Sequence, residues 1–62
     1  MYYIEVRMEN NEKKYVEVIS NTDWGLSKKK VSLFSSKEDA NIVMENIIYF
    51  IDYIEIVIKE LP

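Results

Sequence analysis

Apolar and polar residues alternate from the first positions of the chain. Over residues 2–8, Tyr2, Ile4, Val6 and Met8 share one face, and Tyr3, Glu5 and Arg7 share the other. Successive strand side chains point to opposite sides, so this spacing predicts a half-buried β-strand. Residues 14–19 predict a second strand, with Val16 and Val18 inward and Tyr15, Glu17 and Ile19 outward.

Parity decides how these strands are joined. A two-residue Asn-Asn turn closed by Glu9 and Glu12 would oppose Val6 to Tyr15 and turn one apolar set to the wrong face. An odd-length loop, Glu9-Asn10-Asn11, keeps Ile4 and Val6 alongside Val16 and Val18. Asparagine suits the left-handed backbone that the last loop position needs.

Residues 20–30 hold the chain's only tryptophan and only glycine, Trp24 and Gly25, among polar residues. They read as a loop, and Val31–Phe34 as a short third strand. Ser35 stands three residues before Glu38, a capping box, and Asp39 adds a second acid to the first helical turn. From there Ala40, Val43, Met44, Ile47, Phe50 and Ile51 recur at helical spacing and predict a buried stripe. Residues 53–59 alternate again, with Ile54, Ile56 and Ile58 on one side, and their β-branched content predicts a fourth strand. The alternative is one long C-terminal helix, because helical spacing also continues through Ile54, Ile58 and Leu61 without a breaker. The fold class predicted is α+β in a single domain over residues 1–62: a three-stranded antiparallel sheet, one capped amphipathic helix and a fourth, C-terminal strand.

Sixty-two residues make one small core, and domains of this size are marginal alone. The chain has no cysteine and no histidine, which removes disulfides and both soft zinc ligands. Dense packing or self-association is left, and a 48% hydrophobic fraction suits both. The net charge of −3 disfavours general binding to nucleic acid. The most apolar run, residues 47–58, carries Asp52 and Glu55 and is too short to span a bilayer. With no signal-peptide pattern at the N-terminus, a cytosolic location and no membrane partner are expected.

Catalytic readings find little material. Nucleophilic triads need the absent residues, and Gly25 alone makes no phosphate-binding loop. Glu5 and Glu17 share the open sheet face but read as solvated strand charges, and Glu38 and Asp39 as first-turn acids. No enzyme activity, cofactor or metal is expected.

Binding readings have more. Lys28, Lys29 and Lys30 form the only basic run; they could contact a polyanion, or guard the end of an edge strand. Trp24 suits an interface anchor or a lid on the core. Ile42 and Tyr49, seven apart, project opposite the buried stripe, and Tyr53 and Ile56 extend that line if the helix continues. Together with Tyr3, Tyr15 and Ile19 on the open sheet face, they predict an interface and a homodimer.

The run Leu33-Phe34-Ser35-Ser36-Lys37-Glu38-Asp39-Ala40, with the start Met1-Tyr2-Tyr3-Ile4, resembles a pattern in short accessory proteins of Gram-positive bacteriophages and related mobile elements. The resemblance spans most of the chain. It implies a protein acting in the bacterial host cytosol, where it would bind and inhibit or modulate a host protein, as in host takeover or counter-defence. The other functional class is a nucleic-acid-associated regulator using Lys28–Lys30. No functional residue transfers from the resemblance.

Overall fold

In the computed structural model, which describes residues 1–62, the N-terminal hairpin is formed by β1 (Tyr2–Arg7) and β2 (Lys13–Ser20). They pair antiparallel with Glu5 opposite Tyr15 and Arg7 opposite Lys13. This is the register of a three-residue loop. The Asn11 N–H donates to the Met8 carbonyl at 2.9 Å, and the Met8 N–H donates to the Glu12 carbonyl at 2.8 Å. Asn11 takes the left-handed position with φ 66°.

Residues 20–30 differ from the expected loop. The chain reverses at Asn21–Thr22 and runs back as β3 (Asp23–Ser27), with Val16 opposite Leu26 and Val18 opposite Trp24. The register slips between Val18 and Ser20, which leaves Ile19 as a bulge. Trp24 and Leu26 therefore face the same side as Val16. A five-residue strand with glycine at its centre has almost no pattern of its own; pairing with β2 makes it.

Val31–Phe34 is correspondingly not a full strand. Pairing of β1 with β2 stops at Glu5↔Tyr15, and this segment occupies the fork beyond. Phe34 exchanges both backbone hydrogen bonds with Tyr2 at 2.8 Å. Ser32 donates its N–H to the Val16 carbonyl at 3.1 Å and accepts the Val18 N–H on its hydroxyl at 2.7 Å. Backbone groups that a continued hairpin would pair are thus satisfied by a cross-connection.

The helix α1 (Lys37–Ile47) is capped one residue later than the capping box predicts. Ser36, at φ −136° and ψ 156°, accepts the Asp39 N–H on its side chain at 3.1 Å. Ser35 instead donates its hydroxyl to the Asp39 carboxylate at 3.4 Å. The helix closes at Ile48, whose N–H donates to the Met44 carbonyl, so the single long C-terminal helix does not form. Residues 51–54 lead into β4 (Glu55–Glu60), which pairs antiparallel with β1, Ile4 opposite Ile58 and Val6 opposite Ile56. The sheet order is β3-β2-β1-β4.

Five residues, Ile4, Val6, Val16, Ala40 and Ile47, are fully buried between the sheet and α1. Each fully buried Ile or Val contributes roughly 1.5–3 kcal/mol. Val43, Met44, Ile51, Ile56 and Ile58 pack around them half-buried. Two residues expected inside are not: Val18 is exposed near the hairpin tip, and Phe50 lies beyond the helix end, also exposed.

Candidate protein-binding surface

The helix lies over β1 and β4, and its eleven residues leave the tip of the β2–β3 hairpin thinly covered. Trp24 sits at this margin. It packs half-buried against the core and meets Phe50 with ring centroids 6.4 Å apart and planes tilted by 54°. Trp24 is therefore lid and surface at once. Phe50 is 77% exposed and its neighbour Tyr49 is 82% exposed, because the turn after Ile48 points both away from the core.

Trp24 also lines a groove of about 250 Å³ between the hairpin tip and the C-terminal part of α1. Val18, Trp24, Val43 and Ile47 supply its apolar lining, and Ser20 to Asp23 with Asn46 form a polar rim. A groove that combines apolar and hydrogen-bonding lining residues has the composition of a small contact site.

The open sheet face is organised around Glu5. Its side chain, only 12% exposed, holds Lys59 at 3.2 Å and Lys13 at 3.9 Å. Hydrogen bonding to Glu5 and the attraction of its charge hold the Lys59 ammonium above the usual 10.5. Tyr3 and Tyr15 flank this centre, ring centroids 5.9 Å apart, as their outward parity predicts. Arg7 and Glu55 add a looser pair at 3.7 Å. Ile19 is exposed on the same face beside Gly25.

The basic run is partly spent within the chain. Lys28 pairs with Glu12 at 2.7 Å, and this hydrogen bond and charge lower the Glu12 carboxyl below 4.5. The Lys29 and Lys30 N–H groups both donate to the Ser27 hydroxyl, at 3.2 and 3.0 Å, which folds the run into a turn.

The second apolar stripe expected along the helix does not assemble. Ile42 is exposed on α1 above a shallow hollow with Lys37, Glu38 and Asn41. Tyr49 and Tyr53 lie beyond the helix, and Ile56 is on the core side of β4. Sequence reasoning missed Phe50 as a surface residue because its spacing continues the buried stripe. Only the helix stop at Ile48, which no Gly or Pro announces, turns it outward.

Comparison with protein families, curated proteins and solved structures finds no match. No helix is long and apolar enough to cross a membrane.

Proposed function

We propose that this chain is a non-catalytic binding module that inhibits or modulates a host protein by occupying its surface, and that it acts as a homodimer. The observation that supports this reading is the aromatic ledge of Trp24 and Phe50, whose rings meet at the hairpin margin. Phe50 and its chain neighbour Tyr49 are both mostly exposed, and exposed aromatics are costly to leave in water and typical of contact hot spots. The groove beside Trp24, with its acceptors at Asp23 and Asn46, suits a partner segment that inserts an apolar side chain and brings hydrogen-bond donors or a cation with it. The resemblance to phage accessory proteins is consistent with a bacterial target.

The test is retention of bacterial lysate proteins by the tagged chain, compared with a Tyr49→Ser, Phe50→Ser double variant of unchanged melting temperature. The reading expects one protein held in fixed stoichiometry by the parent chain and lost by the variant. Equal retention by both would overturn it. Retained nucleic acid that is released by salt and by replacing Lys29 and Lys30 would establish the regulator class in its place.

A further inference from the structure

The two edges of the sheet are not equally protected. β3 is five residues long, begins beside the Ile19 bulge and ends against the Ser27 turn with its lysines. Short length, a bulge and adjacent lysines are the usual means of keeping an edge from pairing. β4, by contrast, is six residues of Glu-Ile-Val-Ile-Lys-Glu with no bulge and no proline inside it, and its one lysine, Lys59, is drawn over the sheet to Glu5 at 3.2 Å.

The hydrogen-bonding parity of that edge follows from its pairing with β1. The Leu61 N–H donates to the Met1 carbonyl at 2.8 Å, in the same register that sets Lys59 opposite Tyr3. Odd-numbered residues of β4 therefore direct their backbone groups to β1. Alternation leaves the N–H and C=O groups of Ile56 and Ile58 on the outer edge.

We propose that two copies of the chain associate antiparallel through β4, about a two-fold axis at Val57, to make one continuous sheet. This names the surface of the homodimer proposed above and rests on that reading; the aromatic ledge is not part of it. Charge complementarity selects the register. With Val57 opposite its own copy, Glu55 of each chain faces Lys59 of the other, and Ile56 faces Ile58 on the core side. An axis at Ile56 would put Glu55 against Val57, an axis at Ile58 would put Lys59 against Val57, and one at Lys59 would oppose two lysines. Only the Val57 axis also links the ion pairs already present, giving an alternating row Arg7–Glu55 and then Lys59–Glu5–Lys13 of the second copy. Ile56 and Ile58, half-buried at the margin of the core, would gain cover, and the exposed Ile54 and Leu61 lie at the two ends of the same edge.

Val57 lies on the open face, away from the helix, and the chain has no native thiol. At the axis, a residue and its copy form a non-hydrogen-bonded pair with Cα atoms about 4.5 Å apart, a distance a disulfide can bridge. Val57→Cys should oxidise to a covalent dimer, and Glu55→Cys should not. Separately, Glu55→Lys and Lys59→Glu each place like charges across the axis and should weaken self-association by about tenfold or more. Mixing these two variants restores opposite charges in the mixed pair, so heterodimers should form where neither variant dimerises alone. A parent chain that sediments as a 7.4 kDa monomer at micromolar concentration would overturn both this proposal and the homodimer reading. A dimer that neither charge variant weakens, or equal cross-linking of both thiol variants, would overturn the β4 axis and leave the homodimer reading standing.

Discussion

Ile4 and Glu5 are neighbours in β1, yet they sit in opposite physical environments. Ile4 is fully buried under α1, in a layer with no buried polar or charged residue. Glu5 is the centre of the uncovered face, where two lysines and two tyrosines surround it. The covered face is held by non-directional apolar burial. The open face is held by pairs that water and salt weaken. Mutational sensitivity should follow that division.

Cutting one residue from each face separates the two environments most sharply. Ile4→Ala should cost about 2–5 kcal/mol, close to the entire stability that a core of this size supplies. Urea denaturation would then find little folded protein. Tyr15→Ala, on the open face, should cost only about 1 kcal/mol. Comparable losses at the two sites would mean that the faces are not energetically distinct.

The helix that covers the core depends on its cap. Ser36→Ala should lower stability by about 1 kcal/mol, and Ser35→Ala by clearly less, since Ser35 caps no backbone N–H. A larger effect at Ser35 would restore the capping box that the spacing first suggests.

Gly25 offers a smaller change of opposite sign. It lies on the open face without a positive φ, and an added Cβ would meet only Ile19 Cδ1, at an ordinary 3.9 Å. Gly25→Ala should stabilise the chain by about 0.4–1 kcal/mol through the unfolded state. A lowered melting temperature would show that the open face needs this position bare.

The smallest effects are those of pH. The folded value of Lys59 is raised above 10.5, so its contribution is complete below that pH and is lost as pH rises through the folded value. Glu5→Gln should return the Lys59 titration, followed by NMR, toward 10.5. Glu12 behaves in the opposite sense. Its folded value lies below 4.5, so its contribution is present above that pH and is lost as pH falls through the lowered value. Lys28→Ala should bring the Glu12 titration back up. If either midpoint stays put after removal of its partner, that ion pair is not formed in solution.

Local chemistry sufficed wherever the signal was contained within a few residues. The alternation around Ile4 and Val16, the odd loop closed by Asn11 and the outward placing of Tyr3 and Tyr15 all follow from strand parity. A helix starting at the Ser35–Ser36 pair and a final strand with Ile56 and Ile58 on one side were also legible, although that strand spans Glu55–Glu60 and leaves Ile54 outside it, exposed. The α+β class is the sum of these. The tertiary structure alone decided the rest. β3 exists because β2 offers an edge to pair with, although Asp23-Trp24-Gly25-Leu26-Ser27 has little strand pattern. Val31–Phe34 looks like a strand but serves as a clasp, because β1 and β2 part beyond Glu5 and Tyr15 and leave Val16, Val18 and Tyr2 in need of partners. Phe50 shares its spacing with the buried stripe and still faces water, because the chain leaves the helix at Ile48 to return along β1. Periodicity tells a residue which side of its own element it occupies; what covers that side depends on strands and turns far away in the sequence.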